Sequence, residues 1–404
     1  MRRGSNQIRL ADFNQAVILD LVRRSPGASR ADLQRLSGLS SQTVSNIGRR
    51  LLEENLIVES APGETERGRP SIPLVVNEDG AYSIGVHVDP ARLTVVLLDL
   101  GGALRHKTYL RTPQATDPGG VTSAIADAIT GLIAEARVVQ ERVLGVGIAA
   151  PGPLDVRTGV IVDPPQLPNW RNVRLCADLH DATGLPVLLD KDVTASATAE
   201  LRSSRAENNS FIFLYLGSGV GASVVMDNQV LRGTTNNIGE IGDILVDPSA
   251  EQLEWSGRRG SLAASCVPEA LVIQAARLGL VPLPDLDDYV AIDNACTQLC
   301  ELAAGNHGGA VRVLERAAER VAVGLGVMVN MLDIPHVVLG GPLWDRLSGM
   351  FLPVLARLVE RESVVSRNVV VAGSAVGEHV AAQGAAELVM DRFLAPRPSS
   401  LMVD

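Results

Sequence analysis

Residues 29 to 57, SRADLQRLSGLSSQTVSNIGRRLLEENLI, restrict the possible folds of this chain more than any other stretch. Apolar residues first recur with the spacing of a short helix that ends in a turn at Gly38. They are Ala31, Leu33, Leu36 and Leu39. A second apolar set follows Ser40 and Ser41, either of which can cap a helix N-terminus. It consists of Val44, Ile47, Leu51 and Leu52. The stretch therefore predicts two short helices joined by a tight turn.

The polar face of the second predicted helix carries hydrogen-bonding side chains first and cations later. These residues are Ser41, Gln42, Thr43, Ser45, Asn46, Arg49 and Arg50. A DNA recognition helix needs this order, because its first turns meet base edges in the major groove while later cations meet phosphate. An ordinary solvated face is the alternative. An amphipathic pattern over residues 8–24 and a hydrophilic hairpin after residue 59 favour DNA, so residues 1–75 are expected to form a winged helix-turn-helix domain with wing and linker.

A basic segment, Arg67-Gly68-Arg69-Pro70, follows this hairpin. An arginine on an extended, glycine-containing segment can enter the narrow minor groove of A·T-rich DNA, where negative potential is concentrated. We expect Arg67 and Arg69 to contact DNA in this way, from a basic tail after the wing. A flexible linker that happens to be basic is the alternative.

The distribution of charge agrees with a DNA footprint confined to one end. The whole chain has a formal net charge of -10, which argues against indiscriminate binding to nucleic acid. Residues 1–50 hold nine Arg and three Asp, with no Lys or Glu, so this end carries +6. Aromatic residues make up 3% of the chain, which disfavours stacking on single strands and leaves double-stranded operator DNA as the expected partner.

The remaining composition is that of a water-soluble protein of two or three domains. The chain has 404 residues and no apolar run near the roughly 20 residues that span a bilayer. Its N-terminus has cations but no apolar segment of a signal peptide. Four cysteines are scattered, and Cys296 and Cys300 are expected to pack inside a helix rather than bind metal or form a bridge. We therefore expect a cytoplasmic protein that does not bind membranes.

The body after the head has a repeated α/β pattern. Strand, strand, strand, helix and strand follow one another from residue 81 to residue 153, and a similar series begins with FIFLYLGSGVGASVVM at residue 211. The repetition predicts two similar lobes with a cleft between them. The first lobe is expected at about residues 80–191 together with the C-terminal helix, and the second at about residues 192–380.

Six motifs in the body resemble those of the ROK family of sugar kinases and sugar-responsive repressors. They are GIAAPGPLD at 147–155, LPNW at 167–170, PVLLDKD at 186–192, LGSGVG at 216–221, RG at 232–233 followed by IGEIG at 238–242, and LGG at 339–341. The resemblance covers nearly the whole chain, because the head also resembles that of ROK repressors. It implies a two-lobed actin-like or hexokinase-like body over residues 76–404, a carbohydrate-like effector in the cleft, and a homodimer or homotetramer.

The chain departs from the family where the kinases bind nucleotide phosphates. ROK kinases have DxGGT at the position where this chain has HVDPAR, residues 87–92. Pro90 has no N–H to donate, and Asp89 would bring negative charge against a triphosphate. The glycine-rich turn at 216–221 is retained, but such a turn also joins two strands without any ligand. We therefore expect no nucleotide cofactor and no catalytic residue.

The structural zinc of the family is held by one His and three Cys. The matching positions of this chain are Asp243, Glu254, Ser256 and Ser261. Two carboxylates and two hydroxyls suit zinc poorly, because zinc prefers sulfur and nitrogen ligands. We expect no metal here.

The positions that match the sugar pocket of the family hold Lys191, Asp192, Glu240 and Asp243. Asp192 matches the general base of the kinases, and without a phosphate donor it can still accept a hydrogen bond from a ligand hydroxyl. Lys191 replaces an amide and is one of two lysines in the chain. Either it forms an internal salt bridge with these acids, or it recognises an anionic ligand.

Together these patterns predict a transcriptional regulator of the repressor kind, with a catalytically silent, kinase-like body that senses a carbohydrate or related metabolite. An active ROK sugar kinase that carries a DNA-binding head is the competing enzyme class. A regulator whose body responds to a protein partner is the third possibility.

Overall fold

The N-terminal head of the computed structural model is a three-helix unit with a small antiparallel sheet. The structure describes residues 7–60, 72–203, 210–248, 259–364 and 368–394. The elements of the head are α1 Gln7–Arg24, β1 Ala28–Ser29, α2 Arg30–Ser37, α3 Ser41–Glu53, β2 Ile57–Glu59 and β3 Pro73–Val76. The three strands lie in the order β1-β3-β2. This arrangement confirms the winged helix-turn-helix fold that the sequence predicts.

Capping side chains fix where the two helices of the helix-turn-helix begin. The Ser29 hydroxyl accepts from the Asp32 N–H, and the Asp32 carboxylate accepts from the Ser29 N–H, which is a complete capping box. Gly38 ends α2 in the left-handed conformation, with φ 70°. The Ser40 hydroxyl then accepts from the Thr43 N–H, so Ser40 rather than Ser41 caps α3.

The basic segment at residues 67–70 precedes the last strand of the wing, whereas the sequence interpretation put it after the wing. β3 pairs with β2, with Glu59 opposite Leu74, and with β1, with Ala28 opposite Leu74. Leu74 is fully buried in the core of the head. The interpretation was wrong because the basic segment resembled a tail beyond the wing, although the apolar run that follows it, Pro73–Val76, is the central strand of this sheet.

The first lobe of the body is built on a five-stranded sheet. Its elements are β4 Tyr82–Val88, β5 Arg92–Asp99, β6 Leu104–Arg111, α4 Pro118–Glu135, β7 Val143–Ala150, β8 Leu154–Asp155, β9 Val160–Ile161, α5 Leu175–Thr183 and β10 Val187–Lys191. The strand order is β10-β7-β4-β5-β6. β4 pairs antiparallel with β5 and parallel with β7, so the sheet is mixed. The small pair β8–β9 lies outside it.

The second lobe repeats this topology. After α6 Asp192–Ser203, its elements are β11 Phe211–Leu216, β12 Val220–Met226, β13 Gln229–Val230, α7 Ala263–Cys266, α8 Pro268–Arg277, α9 Tyr289–Ala304, α10 Gly308–Leu332, β14 His336–Gly340, α11 Trp344–Glu362, β15 Val370–Gly373 and α12 Val380–Leu394. The strand order is β13-β12-β11-β14-β15. In both sheets the first strand lies centrally, with the second and third on one side and the fourth and fifth on the other. The two lobes are therefore structural repeats, and α12 returns to pack on the first.

Helices α6 and α12 cross at the centre of the body, and their backbones are so close that α12 needs a glycine at the crossing point. A Cβ placed at Gly384 of α12 would overlap the Ala195 carbonyl oxygen of α6. Cβ atoms at Gly85 of β4 and Gly147 of β7 would overlap carbonyl oxygens of α12, at Ala382 and Ala385. The backbones are thus in direct contact, and this contact holds the first sheet, α12 and α6 together as one layered unit.

Ion pairs join the head to this central unit. The Arg23 guanidinium of α1 donates to the Leu100 carbonyl oxygen at 2.9 Å and lies 3.4 Å from the buried carboxylate of Glu387 in α12. Arg202 of α6 lies 3.7 Å from Asp20 of α1 and also pairs with Asp391 of α12. Burial raises the pKa of Glu387, and Arg23 partly offsets this effect. The C-terminal ends of α6 and α12 therefore contact the head.

The cysteines of the body are packed, as the sequence predicts. Cys296 and Cys300, one helical turn apart on α9, are buried in the core of the second lobe. All four cysteines are free thiols. Burial raises the pKa of Cys176 and of Cys266 to about 12, so these thiols stay protonated and unreactive. Across the described ranges, no helix has both the length and the apolar character needed to cross a membrane.

We expect Gly384→Ala to destabilise the protein by about 3 kcal/mol, because the added methyl group must push two packed backbones apart. Chemical denaturation followed by circular dichroism measures this loss. Gly131→Ala in α4 is the matched control, since a Cβ at Gly131 meets nothing within 4 Å. The control should stabilise the protein by about 0.5–1 kcal/mol through helix propensity. Equal stability of the two variants would contradict the close-crossing account.

Candidate functional site

The polar face of α3 is open to solvent in the way a DNA-reading surface requires. Of the seven residues predicted there, six are exposed and Thr43 is half-buried. The exposed ones are Ser41, Gln42, Ser45, Asn46, Arg49 and Arg50. The opposite face buries Val44 and Leu51 in the core of the head, which fixes the rotation of the helix. Arg67 and Arg69, the other predicted DNA contacts, lie outside the described residues.

The two arginines of α3 differ in their surroundings. Arg50 Nε donates to Glu54 Oε1 at 2.9 Å, and Gln15 Nε2 donates to the other carboxylate oxygen at 2.8 Å. Arg49 reaches Asn46 Oδ1 at 3.4 Å and faces no carboxylate among the ion pairs of the described residues. Arg49 is therefore the more available cation, a difference that the sequence alone does not reveal.

Three of the four predicted effector residues line one cavity between the lobes. Lys191 and Asp192, at the junction of β10 and α6, face Glu240 in the loop that follows β13. The glycine-rich turn between β11 and β12 closes one side. The cavity has a volume of about 30 Å³, which is the space of a single water molecule. Asp243 is exposed and is not among the lining residues.

Lys191 forms the internal salt bridge that was one of its two predicted roles. Its buried ammonium lies 2.5 Å from Glu240 Oε1 and donates to the Ile238 carbonyl oxygen at 3.1 Å. The carboxylate of Glu240 is 66% exposed, so water shares in neutralising it. The pairing with an acid is confirmed, and it leaves the cavity without an uncompensated cation at Lys191.

Asp192 has a strongly altered acidity. Burial raises the pKa of Asp192 to about 7, while the neighbouring Lys191 ammonium and the Val193 N–H lower it in part. The Val193 N–H donates to Asp192 Oδ1 at 2.7 Å. Near neutral pH this carboxyl group therefore exchanges between a neutral form and an ionised form that accepts hydrogen bonds more strongly.

Two polar pairs beside the cavity escaped the sequence interpretation. Asp190 is buried and pairs with Arg232, which offsets the rise in the Asp190 pKa that burial causes. Asn237 Oδ1 accepts from the Leu154 N–H at 2.7 Å, and Asn237 Nδ2 donates to the Leu154 carbonyl oxygen at 2.8 Å. Both pairs join the first lobe to the second. Arg232 and Asp190 lie within motifs that were identified, but nothing in their spacing indicated that they pair.

The loop at residues 87–92 has no free backbone N–H at two of its positions, residues 90 and 91. The Ala91 N–H donates to Asp89 Oδ1 at 2.9 Å, and Pro90 has no N–H. Behind this loop, Tyr215 of β11 and His87 of β4 form a buried hydrogen bond of 3.0 Å across the lobes. Burial lowers the pKa of His87 to about 4, so the imidazole is neutral. Pro90 and Ala91 therefore offer no free backbone N–H to a phosphate, in contrast to a kinase loop.

The donor set at the position of the family zinc does not suit the metal. Ser261 is buried, and its hydroxyl accepts from the Ala264 N–H at 3.3 Å. Asp243 is exposed, while Glu254 and Ser256 lie outside the described residues. No group of three or more His, Cys, Asp or Glu in the described ranges could hold a metal ion. The expected absence of zinc stays a prediction.

Comparison with known proteins relates the whole chain to regulators and its body to kinases. The xylose repressor of Bacillus subtilis strain 168 is 24% identical over 395 residues, which are 96% of this chain and 98% of that protein. A crystal structure of a ROK family transcriptional regulator, a homologue of the Escherichia coli MLC protein, matches with a TM-score of 0.77 at 24% identity. That match covers 96% of this chain and 98% of the regulator.

A ROK family glucokinase from Streptomyces griseus, solved with glucose and AMPPNP, matches with a TM-score of 0.65 at 23% identity. It covers 76% of this chain and 99% of the kinase. These solved structures confirm the two-lobed hexokinase-like architecture of the body. The model of the ROK family matches residues 83–392, well over half of the chain, and the protein therefore belongs to the ROK family.

Proposed function

We propose that this protein is a DNA-binding transcriptional repressor whose body senses a neutral carbohydrate or related polyol. The observation that carries the proposal is the α3 surface, where a capped helix of a winged head exposes Gln42 and Asn46 on its first turns and Arg49 further along. The name of the B. subtilis relative supports repression and a sugar effector. The expected operator is a near-palindrome with half-sites one or two DNA turns apart, read by a homodimer or homotetramer.

The charges of the cavity favour a neutral effector over an anionic one. The Lys191 ammonium is already matched by Glu240 and by a carbonyl oxygen, so an anion would find no free cation there. Asp192 is instead suited to accept a hydrogen bond from a hydroxyl group. Glu240 can accept another, and Asp243 is proposed to complete the set when effector is bound.

Helix α6 offers a direct mechanical connection between effector and DNA. Asp192, in the first turn of α6, lines the cavity, and Arg202, in its last turn, is paired with Asp20 of the head. A cavity of about 30 Å³ is too small for a sugar, so binding requires the lobes to separate. We propose that separation moves α6, shifts the head through Arg202 and changes the spacing of the two heads in the oligomer.

The first prediction distinguishes the side chains of α3 that read DNA bases from those that bind phosphate. Gln42→Ala or Asn46→Ala should relax sequence preference at a cost of about 1–3 kcal/mol per lost bidentate contact. Arg49→Ala should weaken binding to all sequences and reduce the slope of log K against log salt by about 1. Arg50→Ala should have the smaller effect, because Glu54 already holds this guanidinium.

Fluorescence anisotropy with DNA from beside the gene of the protein, at several salt concentrations, measures these effects. Arg171→Ala is the matched control, since this arginine of the body is 81% exposed and pairs only with Asp163 among its described ion partners. It should leave both the affinity and the salt slope unchanged. A native protein that shifts no such DNA even at low salt would contradict the regulator function itself.

The second prediction concerns Asp192 and pH. With a pKa of about 7, this carboxyl group is ionised above neutral pH and protonated below it, so sugar affinity should rise between pH 6 and pH 8. D-xylose and D-glucose are the first probes, and a ligand at 100 times its dissociation constant stabilises the fold by about 2.7 kcal/mol. Asp192→Asn should bind more weakly and without this pH dependence.

The exposed Asp181 supplies the control for this experiment, because Asp181→Asn makes the same chemical change far from the cavity lining. Thermal unfolding with and without sugar, at both pH values, gives the readout. A pH dependence that survives in Asp192→Asn would assign it to another group.

The competing proposal is an active sugar kinase, which the glucokinase match makes worth testing. We expect ATP consumption at background level over a panel of sugars, because Pro90 has no N–H and the Ala91 N–H is held by Asp89. A coupled ATP assay measures this. Sugar-dependent turnover that disappears in Asp192→Asn would establish the kinase. Failure of every sugar to stabilise the protein would favour the third proposal, a body that responds to a protein partner.

A further inference from the structure

A second cavity, with a volume of about 310 Å³, adjoins the small cavity of Lys191 and Asp192. His87 lines the second cavity, and its hydrogen-bond partner Tyr215 lines the small one. This volume is at the lower end of the range of small-molecule pockets and equals that of about ten water molecules. Part of its wall is apolar, formed by Pro268, Tyr289, Ile292 and Leu343. The space is therefore sufficient for a ligand of its own.

The charge of the cavity lining favours a positively charged ligand. Five carboxylates and two guanidinium groups line the cavity, which gives a formal charge of -3 while His87 is neutral. Both arginines are already matched. Arg92 donates twice to Glu378 at 3.1 Å, and Arg346 donates to Asp293 at 2.6 Å. Asp89 and Asp345 form no ion pair within the described residues, and their negative charge attracts cations and repels phosphates.

Asp89 provides a carboxylate oxygen that can accept a hydrogen bond from the ligand. Its side chain lines the cavity although the residue is only 7% exposed. Oδ1 accepts from the Ala91 N–H, and among the described residues no group donates a hydrogen bond to Oδ2. Asp345, in the first turn of α11, adds a second carboxylate to the lining. Asp89 Oδ2 is not among the buried oxygens that lack a partner, so solvent reaches it and a ligand in the cavity can donate a hydrogen bond to it.

We propose that this cavity is a binding site for a small organic cation, an amine with an apolar body of about ten heavy atoms. The ammonium group donates to Asp89 Oδ2, and the apolar body lies against Ile292 and Leu343. The ring of Tyr289 is available for a cation–π contact. This ligand is chemically opposite to a nucleotide, since it brings positive charge to a site from which the phosphate-binding amides have been lost.

Isothermal titration calorimetry on the full-length protein at low salt tests the proposal with two probes of the same shape. Phenethylamine should bind at least about tenfold more tightly than the uncharged 2-phenylethanol, as a charge-assisted hydrogen bond requires. Added salt should reduce this difference. Phenylacetate, which has the opposite charge, should not bind detectably.

Asp89→Asn should bring the affinity for phenethylamine close to that of the alcohol. This substitution keeps an oxygen for the Ala91 N–H, so the loop retains its hydrogen bond. Asp345→Asn should weaken amine binding by a smaller factor, and the distant Asp181→Asn should not change it. Equal binding of amine and alcohol, absence of amine binding, or full amine affinity in a folded Asp89→Asn protein would each overturn the proposal.

Discussion

The body depends on one steric condition, which is that α6 and α12 cross with their backbones in contact. Gly384 meets the Ala195 carbonyl oxygen, and the same helix lies directly on Gly85 and Gly147 of the first sheet. Any side chain at these three glycines would have to occupy space that backbone atoms already fill. Because the crossing leaves no freedom to slide, displacement of one lobe has to move α6 and α12 together.

Because α6 is held rigidly, the charged groups at its two ends are mechanically connected. At its start, burial raises the pKa of Asp192 to about 7 and makes that carboxyl group responsive to a hydroxyl ligand. At its end, Arg202 is shared between Asp20 of the head and Asp391 of α12. A helix of 12 residues spans about 18 Å, so in the proposed mechanism α6 is the stiff element that carries a small movement at the cavity to the head.

The sequence predicted the elements that depend on residues close together in the chain. It missed the contacts between residues that are far apart in the chain. Caps, apolar periodicity and glycine turns lie within a few residues, so α3, the repeated strand pattern and the Lys191 region could be predicted. The pairing of Lys191 with Glu240 was one of two open alternatives, and only the fold, which joins positions 49 residues apart, decides between them. Asp190 with Arg232 and Asn237 with Leu154 were missed for the same reason. The wing was misplaced because Pro73, which begins its last strand, resembled the end of a linker.

The proposed loss of phosphate binding and the presence of a large cavity have a common physical cause. Asp89 and Pro90 remove donors and add negative charge, but they do not fill the space that the two lobes enclose. Filling it would need large side chains on α9 and α11, whereas the residues there, such as Thr297 and Asp293, are held by Arg346 in a polar arrangement. In the proposed cation site, the charge of one loop determines which sign of ligand the cavity attracts, while the space between the lobes stays open. The same loop adjoins the His87–Tyr215 hydrogen bond, in which His87 lines this cavity and Tyr215 lines the small one.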